Sequence, residues 1–193
     1  MIYYLPKILD PLGRIYFFNP AFPNDMLLSA VKSIFEKNIK RMENRSIPSF
    51  NIIGIAIRTS NQNNQAAKDI PELWARFFEN DIMNRIPNKV SNELYCVYTE
   101  YERDHTLPYT TLLGCKVAHL DDLPEDMDGI RIEESLYHHV EAEGNLAAGI
   151  VYDAWLNIWE AGLPRAFSAD FEIYGEEAQN PEQAKVDIFI ALQ

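Results

Sequence analysis

Glu172 stands in the run ADFEIYG, an acid flanked by Phe171 and Ile173 in a segment with strand spacing. Strand side chains alternate, so Glu172 and Tyr174 face one way while Phe171 and Ile173 face the other. A carboxylate in so apolar a strand needs solvent or a partner, because burying its charge alone is costly. Two arrangements meet that need: a wet strand face, or a pocket floor ringed by Tyr98, Tyr101, Tyr174 and the tryptophans. One carboxylate among aromatic faces suits a flat hydrophobic cation, through stacking, cation–π attraction and charge pairing. Trp74, Trp155 and Trp159 all lie at helical spacing. That spacing reads Trp159 as core and leaves Trp74 and Trp155 open between core and pocket edge, where an indole N–H finds a polar partner.

Other residues offer less chemistry. His138 and His139 are adjacent on a strand and point to opposite faces, a poor geometry for one metal ion. His105, beside Asp104 in a turn, reads as solvated. The acidic run DDLPEDMD lacks the spacing and glycine of a calcium loop. Neither a serine nucleophile elbow nor a glycine-rich phosphate loop is present. Cys96 and Cys115 are too few for a zinc motif or a disulfide framework. They read as reduced core residues that fall nearly opposite each other if residues 93–117 form a hairpin. No metal and no cofactor is expected.

The elements that must position these residues come in a repeating order. Residues 47–59 are β-branched and apolar, a strand in which Gly54 allows a bulge or a close approach. After the polar loop SNQNNQ, residues 69–83 predict a helix capped by Asp69, with Ile70, Leu73, Trp74, Phe77 and Phe78 on one face. NELYCVYTEYE and PYTTLLGCKVAH predict two strands joined by RDHTL. Past the acidic loop, residues 131–144 predict a strand and 146–162 a helix stopped by Gly162 and Pro164. ADFEIYG and KVDIFIAL predict two closing strands. β-α-β-β therefore occurs twice, an α+β fold of duplicated halves (49–120 and 128–193) forming an antiparallel sheet, two main helices and a central groove. Setting LYCVYTE beside DFEIYGE aligns Cys96 with Glu172 and Tyr98 with Tyr174. One half thus carries a carboxylate where its twin has a thiol.

Residues 1–48 read as an N-terminal extension: four prolines within the first 23 positions, then one helix over 24–43 with its basic residues largely off the apolar stripe. One helix does not make a helix-turn-helix unit. The charge is lopsided. Residues 1–50 hold seven Lys/Arg against four Asp/Glu, a net of +3, whereas residues 51–193 hold ten against twenty-five, a net of −15. So acidic a segment repels phosphate backbones, which argues against direct nucleic-acid binding by residues 49–193. No apolar run approaches the roughly 18 residues of a membrane span, and the N-terminus lacks signal-peptide features, so a cytoplasmic protein is expected.

The runs IGIAIRTSN, IPELWARFFEN, VYTEYERDH, PYTTLLGCKV and RAFSADFEIYGEEAQNPEQAKVDIFIAL resemble the GyrI-like effector-binding domains, nearest their integron-associated, stand-alone branch with AraC-type regulator effector domains. The resemblance runs from about Ser49 to Leu192. It implies a groove that takes lipophilic, often cationic, compounds, with Glu172 as the groove glutamate and Trp74, Tyr98, Tyr101 and Trp155 as groove aromatics. It departs from relatives fused to a DNA-binding segment, since residues 1–48 offer one helix. The expected function is a small-molecule sensor or sequestering module whose ligand-binding residues are Glu172, Trp74, Tyr98, Tyr101, Trp155 and Tyr174. Two alternatives stand beside it. One is a protein-interaction module engaging a regulator or a DNA-handling enzyme. The other is a small hydrolase with Glu172 as general base.

Overall fold

The computed structural model describes Glu43–Gln193 and two short strands nearer the N-terminus, and the chain divides into two units, residues 1–43 and 44–193. In the first unit β1 (Lys7–Leu9) pairs antiparallel with β2 (Ile15–Phe17). Residues 24–42 of the helix expected over 24–43 lie outside the described residues, and its last residue, Glu43, begins a strand.

The second unit takes in β3 (Glu43–Ile47) from its second residue onward, then β4 (Phe50–Thr59), α1 (Ala66–Glu79), the short α2 (Ile82–Arg85), β5 (Lys89–Thr99) and β6 (Tyr109–Val117). It continues with β7 (Asp128–Ile132), β8 (Ser135–Gly144), α3 (Ile150–Glu160), β9 (Ala169–Tyr174) and β10 (Ala184–Ala191). Eight strands form one sheet in the order β3-β8-β10-β9-β5-β6-β4-β7. This is the α+β duplication the sequence predicts: β4-α1-β5-β6 and β8-α3-β9-β10 are the two halves. They meet where β5 pairs antiparallel with β9, with Leu94 opposite Tyr174, Cys96 opposite Glu172 and Tyr98 opposite Asp170.

Two residues separate β3 from β4, yet these strands lie near opposite edges of the sheet. The same holds for β7 and β8. A sheet so connected has to curl until its edges converge, and each half lends its leading strand to the other. Strand alternation then gives the sheet two apolar faces. Phe50, Ile52, Tyr95, Val97, Tyr137, Phe171 and Phe189 pack together inside the curl. Ile53, Ile55, Leu94, Cys96, Leu113, Val186 and Ile188 pack on the face covered by Leu73 and Phe77 of α1 and by Trp155 and Ile158 of α3. Gly54 and Gly114 are opposite each other on β4 and β6, and a Cβ on Gly54 would stand 2.0 Å from the Leu113 carbonyl oxygen. The glycine therefore serves a close approach, with the β4–β6 register unbroken.

Several details differ from the sequence expectation. The predicted strand 131–144 is two strands broken at Glu133–Glu134, and the first of them takes residues from the acidic loop. Helix α1 starts at Ala66 because Ala66, Ala67 and Lys68 favour helix and the Ser60 carbonyl accepts the Ala66 N–H at 2.9 Å. Asp69 is consequently a first-turn residue, accepting from the Thr59 hydroxyl at 2.7 Å and from Gln65 Nε2 at 3.0 Å. Phe78 lies 59% exposed at the edge of the helix face. Cys96 pairs with Leu113 and Cys115 with Leu94, so the two buried cysteines are offset by one pleat and both are free. No helix among the described residues is long and apolar enough to cross a membrane.

Candidate functional site

Between α1, α3 and the β5–β9 seam lies a cavity of about 390 Å³. All six residues singled out from the sequence line it: Glu172, Trp74, Tyr98, Tyr101, Trp155 and Tyr174. Strand parity puts Tyr98, Glu172 and Tyr174 on the helix-covered face, and the helices bring an indole to each tyrosine. Trp155 of α3 packs edge-on against Tyr98 of β5, with ring centres 5.1 Å apart. Trp74 of α1 packs edge-on against Tyr174 of β9 at 4.9 Å. Each helix thus places its tryptophan on the central-strand tyrosine of the other half.

Glu172 is 2% exposed. Its Oε1 accepts from Trp155 Nε1 at 2.6 Å and from the Tyr98 hydroxyl at 2.8 Å, and its Oε2 accepts from the Tyr174 hydroxyl at 2.7 Å. The three donors are neutral. Burial pushes the carboxyl above its ordinary value, and the three hydrogen bonds act in the opposite sense. Burial likewise raises the neighbouring groups, Tyr98, Tyr174 and the Cys96 thiol, so all three stay uncharged around it. The site is a carboxyl group in an aromatic box, held by geometry and without a cation bonded to it among the described residues.

A second acid lies two residues earlier on the same face. Asp170 is fully buried and forms an ion pair with Arg165 Nη2 at 2.6 Å. The same oxygen, Oδ2, accepts from the Tyr101 hydroxyl at 2.8 Å, and the other, Oδ1, accepts the Ala191 N–H at 2.8 Å. Burial raises this carboxyl, opposed by Arg165, the Ala191 N–H and Tyr101. Residues 163–168 fold back along the end of β10, where Arg165 bridges Leu192 and the Ala166 N–H reaches the Ala191 carbonyl at 2.8 Å. That return brings Arg165 into the cavity wall, with Cζ 4.3 Å from the Phe167 ring centre and 5.8 Å from that of Trp155.

His105 corrects the expectation of a solvated turn. It lines the cavity, half-buried, and stacks on Trp159 with ring centres 5.1 Å apart and planes 9° from parallel. Burial and the nearby Arg165 lower its pKa. Its loop is pinned from below, since Asn61 Nδ2 donates to the His105 carbonyl at 2.9 Å and Gln62 Nε2 to that of Thr106 at 3.1 Å. Trp159, read from the sequence as core, is half-buried in the cavity wall for the same reason. Asp170 was within reach of the sequence, because parity with Glu172 puts it on the same face. His105, Trp159 and Tyr109 were not, since contacts more than forty residues away in the chain decide their surroundings, and Arg165 was not, since the fold-back of residues 163–168 onto the end of β10 places it. His138 and His139 do point apart, one to Asn44 at 3.1 Å and the other to Asp187 at 2.6 Å.

Residues 45–192 match the family model described as Cass2, integron-associated effector binding protein. The chain belongs to the Cass2 family. A curated relative, the putative transcriptional regulator protein YobU of Bacillus subtilis, is 27% identical over 144 residues, covering 72% of this chain and 90% of the relative. Among solved structures, an integron cassette protein from the mobile metagenome of Vibrio cholerae is similar, at 25% identity and a TM-score of 0.64 over 80% of this chain and 97% of that one. The fold also matches SAV2435 bound to tetraphenylphosphonium, at 16% identity and a TM-score of 0.66 over 79% of this chain and 93% of that one. Small-molecule effector binding is accordingly the function of this Cass2 family domain.

Proposed function

We propose that the cavity binds lipophilic cations, with Glu172 as the acidic anchor and Trp74, Tyr98, Tyr101, Trp155 and Tyr174 as the aromatic walls. The carrying observation is the carboxyl of Glu172, 2% exposed, surrounded by aromatic rings and met, among the described residues, only by neutral donors. A buried carboxylate gains most from a partner that brings positive charge without water, and a delocalised organic cation does so while stacking on the rings. The acidic balance of residues 51–193 favours cations over anions in the surrounding field. A fold relative held tetraphenylphosphonium, a cation of that kind, which supports the same reading here.

The test is a binding titration with tetraphenylphosphonium on wild type and Glu172→Gln, followed by tryptophan fluorescence. Gln keeps the shape and an acceptor for Trp155 but removes the charge. A lost charge-assisted contact of about 1.5–3 kcal/mol weakens affinity by roughly tenfold or more. Equal affinities for the two proteins would remove the anchor role from Glu172.

A further inference from the structure

The cavity has a second polar end that the cation does not use. Arg165 is 5% exposed and gives Nη2 to Asp170, while its Nε and Nη1 are buried with no hydrogen-bond partner among the described residues. The Trp159 Nε1 and His105 Nδ1 are in the same condition, and all three side chains line this cavity. Buried donors are almost always paired, because an unpaired one forfeits its hydration with nothing in return. Here the unpaired atoms of three side chains gather in one wall of a ligand cavity. Glu172 and Arg165 flank the same indole: Glu172 takes the Trp155 N–H at 2.6 Å, and the guanidinium carbon is 5.8 Å from the ring centre. The acid and the guanidinium that carries two of the unpaired donors therefore border one indole.

We propose that the cation received by Glu172 carries, about one aryl ring from its charge, a neutral hydrogen-bond acceptor such as a carbonyl oxygen, and that Arg165 and Trp159 receive it. This rests on the cation reading of the same cavity and narrows its ligand class. Charge decides for a neutral acceptor over a carboxylate. The guanidinium charge is already matched by Asp170 at 2.6 Å, and a carboxylate brought to Nε or Nη1 would face Asp170 in a region closed to water. A carbonyl oxygen takes the same N–H groups without that repulsion. The stacked His105 and Trp159 rings, both half-buried, form the part of this wall that yields to admit it.

Three aryltriphenylphosphonium probes differing in one para substituent test the assignment: 4-acetylphenyl, the similarly shaped 4-isopropylphenyl, and 4-carboxyphenyl. Wild type is expected to bind the acetyl probe about tenfold tighter than the isopropyl probe, and the carboxy probe no tighter than the isopropyl one. Trp159→Phe, which keeps the stack and removes the N–H, narrows the gap. Arg165→Lys, which keeps a cation for Asp170 and so the buried pair, closes most of it. Glu172→Gln weakens the acetyl and isopropyl probes by the same factor and preserves their ratio. Equal affinity for those two probes in wild type, or a gap that survives both donor variants, overturns the acceptor site while leaving the cation reading intact. A carboxy probe that binds tightest overturns the neutral assignment. If no probe distinguishes wild type from Glu172→Gln, the cation reading has failed and this inference falls with it.

Discussion

Neutral donors hold Glu172 in place, and among the described residues no positive charge is bonded to it, so its proton is the natural counter-charge in the unliganded cavity. Burial raises the carboxyl above its ordinary value, and a bound cation has to pull it back down. Binding a cation therefore releases a proton whenever the pH lies below the raised value. Tetraphenylphosphonium affinity is expected to rise with pH, by up to about tenfold per pH unit, and to level off above it. Glu172→Gln should show a flat profile. Calorimetry in two buffers of different ionisation enthalpy counts the released proton directly. Folding carries the same sign: an acid raised in the native state contributes stability that is present below its unfolded pKa and lost as pH rises through the folded value. Wild type and Glu172→Gln should therefore melt together in acid and separate toward alkaline pH, with the variant the more stable. Glu172 was legible in the sequence as a candidate because strand alternation sets its carboxyl between the apolar Phe171 and Ile173. Its neighbour Asp170 has the same parity but reads as an ordinary surface acid until residues 163–168 are seen to fold back and deliver Arg165.

At the scale of elements, the cavity depends on how tightly the sheet curls. Gly54 and Gly114 allow β4 and β6 to touch backbone to backbone beneath α1. A methyl on Gly54 would meet the Leu113 carbonyl oxygen at 2.0 Å and the Gly114 Cα at 2.6 Å, atoms that belong to the neighbouring strand and cannot rotate away. Gly54→Ala is expected to cost about 3 kcal/mol, the upper end of ordinary overpacking, and to lower the urea midpoint accordingly. Because β4 carries the Ile53 and Ile55 side chains on which α1 rests, the folded fraction should also bind tetraphenylphosphonium more weakly. The glycine was visible in the sequence as a break in an apolar run, with bulge and close approach both open; its partner across the sheet decided between them. Strands β3 and β7 were not visible as separate elements, because five-residue strands that begin in polar loops carry too little alternation to be told from those loops. Helix identity came easily from its apolar spacing, whereas the start of α1 turned on a backbone hydrogen bond to Ser60 that no pattern of residue types encodes.

For the molecule as a whole, the two halves are related by a pseudo-twofold that runs through the β5–β9 seam. It exchanges Tyr98 with Tyr174 and Trp155 with Trp74, and it maps the Cys96–Glu172 pair onto itself. The box is therefore nearly symmetric, and its charge is not: Glu172 answers to Cys96, and Asp170 to Leu94 on the opposing strand's equivalent position. A carboxyl moved from one side of this pair to the other stays on the midline, between the same two tyrosines, with Trp74 taking the place of Trp155. The double variant Cys96→Glu with Glu172→Cys is thus expected to recover tetraphenylphosphonium binding to within about threefold of wild type, whereas Glu172→Cys alone weakens it by roughly tenfold or more. Cys96→Glu alone sets two carboxyls directly opposite across an antiparallel pair in a buried seam, so it should destabilise the fold most at high pH, where both would have to ionise. If the folded double variant binds no better than Glu172→Cys, cation recognition depends on the side of the seam that also holds Asp170 and Arg165, and the duplication is architectural rather than chemical. Recovery would instead show that the fold supplies a symmetric aromatic clamp into which a single acid, on either strand, writes the preference for charge.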